Sequence, residues 1–291
     1  MTRDDAYAFA TVNAERVVRD RNIALLPVDP FAIARGLGID VLAKPVSAAG
    51  VSGMLMRVGD SFGIAYATNI NNAGFQRFSV AHELGHFFLP GHIDAVLASG
   101  NLHESRAGFA SGARYELEAD HFAAALLMPR HLFMPAMRDA GEGLDAIEYL
   151  RVLCETSLTA TAIRYAQCTA DPVAIVVSTG HTIDYCFTSD TLMELDGIDW
   201  IRKHQIVPRG TSTSTFNQDT GNVLRGERVD GTSDLQQWFG GARSIEVSES
   251  VAGLGSYGKT LTVLHDFELP EPKDEEDEES LRDSWTPRFR R

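Results

Sequence analysis

The sequence predicts an α+β protein built from three successive parts. Helical and strand patterns alternate over residues 1–135, helical patterns alone fill 136–169, and strand patterns dominate 170–269. The change falls near Pro172, where runs of β-branched and aromatic residues replace the helical period. A chain of 291 residues, of which 44% are hydrophobic, is long and apolar enough to form two or three such domains.

The first predicted elements are helical. Apolar residues at helical spacing predict a helix over 5–21. A short helix from Phe31 to Gly36 follows, with Asp29 as its N-cap and Pro30 at its first position. A strand over 39–43 comes next.

A hairpin and a long helix continue this first part. Strands over 53–58 and 61–67 are joined by Gly59-Asp60, a pair typical of tight turns. A helix over 74–88 then ends before Pro90-Gly91.

The rest of the chain is predicted more coarsely. Residues 91–112 lack periodicity and are interpreted as a loop with some local helix. A second strong helix runs over 113–127, and short helices fill 131–168.

The strand-rich part contains four predicted strands and one long loop. The strands cover 173–177, 182–187, 244–251 and 259–267. Residues 210–234 are rich in Thr, Ser, Gly and Asn and are interpreted as a loop.

Charge restricts the classes of partner. The formal net charge is −14, which disfavours direct DNA binding because DNA phosphates repel an acidic body. Part of this charge lies in a predicted disordered acidic tail, 270–291. No apolar run is long enough to cross a membrane, and the acidic N-terminus does not fit a signal peptide. We therefore expect a cytoplasmic protein, of an oligomeric state that the sequence leaves open.

The motif that carries chemistry is Ala81-His82-Glu83-Leu84-Gly85-His86. Residues four apart share one helical face, so His82 and His86 can both direct a ring nitrogen to one ion. Glu83 lies to the side of that pair, where it can take a proton from an attacking water molecule. This H-E-x-x-H arrangement is typical of zinc metallopeptidases.

A third metal ligand is expected from the second strong helix. Glu116 and Asp120 lie four residues apart on one face of that helix. Glu116 is placed to bind Zn²⁺, and Asp120 to accept the distal N–H of a ligating His. Glu118 points roughly to the opposite side and ranks behind Glu116.

These residues resemble those of the ImmA/IrrE metallopeptidases. The resemblance covers about residues 22–135. It rests on Val28-Asp29-Pro30, on Arg77 to His86, on Glu116-x-x-Ala119-Asp120-x-Phe122-Ala123, and on Leu126-Leu127-Met128-Pro129. It implies a zincin-like peptidase domain over 1–135 with Glu116 as the third ligand. It also implies a partner, a helix-turn-helix repressor of the XRE type, whose cleavage switches on stress or mobile-element genes.

The later segments resemble those of the longer, IrrE-like members. That similarity implies a helix-turn-helix-like segment over 136–169 and a GAF-like or PAS-like domain over 170–269. Given the charge, the helical segment is interpreted as a docking or packing module. The strand-rich domain is equally compatible with a sensor and with a structural support.

One departure concerns the residue that stabilises the oxyanion. Family members often carry a His shortly after the metal helix, whereas Pro90-Gly91 displaces His92 here. His92, His103, His121 and Tyr115 are candidates for this role, and the sequence does not select one of them.

The sequence thus predicts a zinc-dependent endopeptidase with His82, His86 and Glu116 as metal ligands and Glu83 as the base. The main alternative is a non-cleaving adaptor that binds a repressor and holds a structural zinc. Two further alternatives remain, a DNA-binding regulator using 144–168 and a hydrolase of short peptides.

Overall fold

A computed structural model describes residues 3–44, 50–69, 72–105, 113–241 and 244–267 of the chain. The first half contains α1 (Arg3–Asp20), α2 (Pro30–Gly36), β1 (Asp40–Lys44), β2 (Gly53–Val58), β3 (Ser61–Ala67), α3 (Ala73–Phe88), α4 (His92–Val96), β4 (Leu102–Ser105), α5 (Arg114–Leu127), α6 (Arg130–Ala140), α7 (Gly143–Cys154) and α8 (Leu158–Cys168). The second half contains β5 (Ala174–Thr179), β6 (Thr182–Thr188), α9 (Asp190–Met193), α10 (Ser212–Phe216), α11 (Thr220–Arg225), β7 (Arg228–Asp234), α12 (Leu235–Phe239), β8 (Glu246–Gly253), the 3-10 turn Gly255–Tyr257 and β9 (Thr260–Phe267).

The first sheet has four strands in the order β1-β3-β2-β4. Strand β1 runs parallel to β3, and the other two pairings are antiparallel. Leu55 lies opposite Ile64 on one side and His103 on the other, and both Leu55 and Ile64 are fully buried. The register therefore turns the apolar face of the sheet towards the helices.

Helix α3 lies between this sheet and α5. Its N-cap is Asn72, whose side chain accepts a hydrogen bond from Phe75 N. The helix contacts β2 and β3 on one side and α5 on the other, so ten of its residues are buried. At Gly85 a Cβ atom would lie 3.1 Å from Ala119 Cα, so the glycine permits a close approach of the two helices. The residues of α3 and α5 therefore lie close together where the two helices cross.

Helices α6 to α8 connect the two sheets. Helix α8 begins at Ser157, whose side chain accepts a hydrogen bond from Ala160 N. The buried Arg164 fastens α8 to the first half of the chain by donating to Met128 O at 2.9 Å and to Glu15 Oε1 at 3.2 Å.

The second sheet has five antiparallel strands in the order β6-β5-β9-β8-β7. One continuous buried cluster includes Leu84 of α3, Leu150 of α7 and Val263 of β9. A second cluster surrounds Trp238, which is fully buried on the other face of this sheet. The two halves of the chain therefore share a core.

Most of the predicted elements are confirmed within one to three residues. The helices over 5–21, 74–88 and 113–127 correspond to α1, α3 and α5, and the predicted hairpin corresponds to β2 and β3. Asp29 caps α2 as expected, accepting from Phe31 N at 2.9 Å.

Two loop predictions were wrong in part or in whole. In 91–112, α4 is the local helix that was expected, but the strand β4 was missed, and 106–112 lie outside the described residues. Residues 210–234, expected to be a loop, contain α10, α11 and the strand β7. Both strands are short or polar, and β7 is largely exposed, so neither shows the apolar alternation that identifies a strand. Pairing with β2 and with β8, respectively, forms them instead.

Two further expectations concern the termini and membranes. The predicted disordered tail, 270–291, lies outside the described residues. In the part of the chain that the structure describes, no helix is both long and apolar enough to cross a membrane.

Candidate metal centre

Two imidazole rings of α3 meet at the centre of the first half. His82 and His86 are one turn apart and fully buried, and their Nε2 atoms lie 3.1 Å from each other. The helical spacing places them side by side, and the burial of α3 on both sides removes them from bulk water.

A carboxylate from α5 completes a group of three. Glu116 Oε2 lies 3.5 Å from His82 Nε2, and Glu116 Oε1 lies 3.3 Å from His86 Nε2. One ligand atom from each residue lies within 4.8 Å of the others. Ligands at 2.0–2.1 Å from a tetrahedral zinc ion lie about 3.3 Å apart. The distance between the two imidazole nitrogens, and the distance from each of them to one Glu116 oxygen, are close to this value.

Glu83 is buried beside this group. Among the described residues, neither of its carboxylate oxygens has a partner at the usual hydrogen-bond distance, although the nearby Ser105 hydroxyl favours the ionised form. Burial raises the pKa of Glu83 to about 7, although the positive charge of His82 opposes this shift. A buried carboxylate with free lone pairs is costly in a purely structural role, so the arrangement fits a catalytic group.

Strand β2 leaves room for Glu83 at one position. A Cβ atom on Gly53 would lie 2.5 Å from Glu83 Oε1. An added methyl group there would force the Glu83 carboxylate to shift, so Gly53 forms the wall against which that carboxylate rests.

A second set of side chains holds the ligands in place. Asp120 Oδ1 lies 2.8 Å from His82 Nδ1, the contact that helical spacing indicated. His92 Nδ1 lies 3.2 Å from His86 Nδ1, so His92 reaches the site despite Pro90-Gly91. Each candidate ligand ring therefore has a partner on the nitrogen that faces away from the metal position.

The surrounding carboxylates favour the protonated form of His82 much more than that of His86. Burial opposes protonation of His82, but Asp120 and Glu116 raise its pKa to about 10. His86 has less compensation, and burial lowers its pKa to about 3. Burial also opposes ionisation of Glu116, yet the nearby His103, His82 and His86 hold its pKa well below the usual range. Without a metal, the group therefore contains an ionised Glu116, a neutral His86 and a protonated His82, and His82 must lose its proton before it can bind a cation.

His103 approaches the group from strand β4. Its Nε2 atom lies 2.9 Å from Glu116 Oε1, and its ring centroid is 4.9 Å from that of His86. The sequence named His103 only as one of four oxyanion candidates, and no motif selected it, because it lies in a segment interpreted as a loop with some local helix. The pairing of β4 with β2 brings His103, whose side chain is 19% exposed, to the group.

The other candidates from the sequence lie farther out. Glu118 is buried but bonds His92 Nε2 at 2.9 Å and Arg114 Nε at 2.6 Å, and it does not join the three-ligand group. Tyr115 packs edge-on against His92, and His121 stacks on a tyrosine of α1 at 4.2 Å.

Comparison with known proteins agrees with this geometry. Residues 34–164, which include α3 and α5, match a peptidase family described as the IrrE N-terminal-like domain. Among solved structures, the chain is similar to a Mycobacterium tuberculosis transcriptional regulator. The two share 14% sequence identity with a TM-score of 0.58, covering 91% of this chain and 81% of that chain. At this identity the similarity concerns the fold alone. No curated protein matches the sequence.

Proposed function

This protein belongs to the ImmA/IrrE family through residues 34–164, and on that premise we propose that it is a zinc-dependent endopeptidase. His82, His86 and Glu116 are the metal ligands in this proposal, and Glu83 is the general base. The observation that carries it is the buried carboxylate of Glu83, which has no close hydrogen-bond partner among the described residues, beside three ligand atoms that lie within 4.8 Å of one another.

The chemistry of the ligands supports zinc as the metal. Two imidazoles and one carboxylate are the ligand set of several zinc hydrolases, which keep a fourth position open. A bound zinc ion supplies Lewis acidity towards the scissile carbonyl and the attacking water. Asp120 and His92 would fix the orientation of the two rings towards that ion.

The proton transfers fall to Glu83. Its pKa of about 7 suits a group that takes a proton from the attacking water and returns it to the leaving amine. The absence of a hydrogen-bond partner among the described residues leaves its oxygens available to water. His103, whose Nε2 atom lies 2.9 Å from Glu116 Oε1 and whose side chain is partly exposed, is the best placed of the candidate residues to donate to the developing oxyanion.

The architecture supports a regulatory peptidase with accessory parts. The mixed sheet with α3 and α5 on one face supports a zincin-like domain over 1–135. The pair α7 and α8, joined by the short turn 155–157, supports a helix-turn-helix-like segment over 136–169. The five-stranded antiparallel sheet supports a GAF-like or PAS-like domain over 170–269.

The substrate we propose is an XRE-type transcriptional repressor. Family membership supports a protein substrate, and the similar fold of a transcriptional regulator supports a role in gene control. The net charge of −14 favours action on a protein over direct contact with DNA. In this account the cut inactivates the repressor and induces a stress or mobile-element response in the cytoplasm.

Cleavage of the repressor tests this function. Zinc-loaded protein would be mixed with the XRE-type repressor encoded nearest its own gene, and the products identified by mass spectrometry. We expect one cut, lost after chelation and restored by added zinc. An intact repressor in the presence of fully zinc-loaded protein would contradict the proposal for this substrate.

The adaptor remains the second candidate. The near-complete burial of the ligand group is the observation that favours it, because a closed site can hold zinc for shape alone. An adaptor would co-elute with the intact repressor in size-exclusion chromatography and would never shorten it.

A further inference from the structure

A cavity of about 450 Å³ lies where the three parts of the chain meet. The beginning of α3, the helices α7 and α8 with the turn between them, the strands β6 and β8, and the segment 254–259 with its 3-10 turn form its walls. None of the candidate metal ligands lines it. Small-molecule sites of proteins have volumes of about 300–1,000 Å³ and favour such domain junctions.

The walls of this junction cavity are mainly aromatic and aliphatic. Phe75 and Phe78 of α3 face Ile163 of α8 across it, while Tyr185 and Leu254 extend the apolar surface from the second sheet. Hydroxyl groups from the α7–α8 turn add a few polar atoms. An apolar body with a small number of polar contacts is the occupant that such a lining favours.

The charges at the cavity favour an anion. Two cations, Arg151 and Lys259, and one anion, Glu148, line it, which gives a local charge of +1 in a chain of −14. Glu148 forms ion pairs with both Arg151, at 2.7 Å, and Arg228, so these two cations exceed the one carboxylate they share by one positive charge. Lys259 pairs with Asp184, which does not itself line the cavity. Arg151 and Lys259 are more than one-third exposed, so they can meet an anionic group at the opening.

The cavity wall is in direct contact with α3, the helix that carries two of the candidate metal ligands. A Cβ atom on Gly74 would lie 2.6 Å from the carbonyl carbon of Thr156, so α3 and the α7–α8 turn touch backbone to backbone. Arg77 of α3 also forms an ion pair of 3.0 Å with Glu155 of that turn. Phe78 stands one helical turn before His82. A molecule that shifts this wall would therefore shift the helix that carries two metal ligands and the base.

We propose that the junction cavity binds a small amphipathic organic anion, an aromatic or aliphatic body with one carboxylate, sulfonate or phosphate group, and that this ligand regulates the metal centre. The proposal that this ligand binds depends only on the features of the cavity. The regulatory step rests on the proposed function, because it acts on the ligands that α3 carries.

A pair of fluorescent probes tests the binding step on the full-length chain. The anion 8-anilinonaphthalene-1-sulfonate has the same ring system as the neutral N-phenyl-1-naphthylamine. We expect one bound sulfonate probe per chain. Its affinity should be about tenfold higher than that of the neutral probe, because the neutral probe lacks the charge-assisted contact of the sulfonate group. Equal affinities for the two probes, or no saturable binding, would overturn the proposal.

Two tryptophan variants locate the site. Ala160→Trp places a large ring in the cavity, whereas Val152→Trp places the same ring on the exposed side of α7, outside the lining. We expect the first variant to lose sulfonate binding and the second to keep it. Unchanged binding in Ala160→Trp, with a native circular dichroism spectrum in both variants, would place the probe elsewhere and contradict the assignment.

Zinc titrations test the regulatory step separately from catalysis. Coupling between two sites is reciprocal, so a saturating sulfonate probe should change the zinc dissociation constant by the same factor by which zinc changes the probe's constant. We expect a factor of about five or more, within the usual range for coupled sites. If neither the zinc nor the probe dissociation constant changes when the other ligand is present, regulation is refuted. Failure of zinc to bind at all would instead refute the proposed function.

Discussion

Two acids of α5 lie two residues apart and have different partners. Glu116 faces His82 and His86, whereas Glu118 bonds His92 and Arg114. The half-turn between them decides which carboxylate can reach a metal ion.

Substitution of each acid separates these roles. Glu116→Ala should lower zinc affinity by more than about 100-fold, because outer-shell changes alone cost about 10–100-fold. Glu118→Ala should lower it by at most about tenfold, since it acts only through His92. Isothermal titration of zinc into both proteins measures the difference, and a larger loss in Glu118→Ala would reverse the assignment.

Asp120 provides a second prediction at this scale. Its fully buried carboxylate fixes His82 through a contact of 2.8 Å. Asp120→Asn keeps the volume but removes the charge, so we expect zinc affinity to fall about 10–100-fold. His121→Asn, which alters the neighbouring residue stacked on α1, is the matched control. Equal zinc affinities in Asp120→Asn and wild type would show that Asp120 does not support the site.

Sequence spacing revealed part of this site and concealed the rest. The i, i+4 pairs His82–His86 and Glu116–Asp120 follow from helical geometry, and the structure brings both pairs to one place. His103 and Gly53 lie on paired strands, β4 and β2. Their approach depends on which strands pair, and a local pattern does not contain that information.

At the scale of elements, α3 is held by close contacts at both ends. Gly85 admits α5 near its C-terminus, and Gly74 admits the α7–α8 turn at its N-terminus. Both contacts reach main-chain atoms, which cannot move aside as a flexible side chain can. The position of the metal helix therefore depends on elements outside the ligand set.

Gly74→Ala tests this dependence. The added methyl group would lie 2.6 Å from Thr156 C, so we expect the free energy of unfolding to fall by about 1–3 kcal/mol from overpacking. Gly36→Ala, at the end of α2, meets no atom within 4 Å and should leave stability unchanged or slightly higher. Urea unfolding compares the two, and equal stabilities would show that the turn yields to the methyl group.

Predictability differed among elements for a physical reason. Helices α3 and α5 carry strong apolar patterns because both are buried by their neighbours. Strand β7 is exposed and polar, and it forms because β8 offers a free edge. The residues of β7 therefore show no strand pattern, because the strand depends on its pairing with β8.

At the scale of the whole molecule, the buried core crosses the predicted boundary at residue 170. Leu84, Leu150 and Val263 belong to one cluster although they come from all three parts of the chain. An apolar core of this kind couples the stability of the parts, because exposing one face would expose the others.

A single unfolding transition should follow from this shared core. Far-UV circular dichroism reports chiefly on the helices of the first half. Fluorescence reports on three tryptophans, among which Trp238 is buried beside the second sheet and Trp200 is exposed, so the change in emission on unfolding comes chiefly from Trp238. We expect the two urea curves of the zinc-loaded protein to coincide. Two separated midpoints would show that the sheets unfold as independent units.

Glu83→Gln tests the central claim most directly. The substitution keeps the size of the side chain and leaves the three ligands in place, but it removes the base. We predict zinc content equal to wild type, by elemental analysis, and cleavage of the repressor reduced by about 100-fold or more, the usual contribution of a positioned base. A zinc-loaded Glu83→Gln protein that cuts at the wild-type rate would contradict the proposed mechanism.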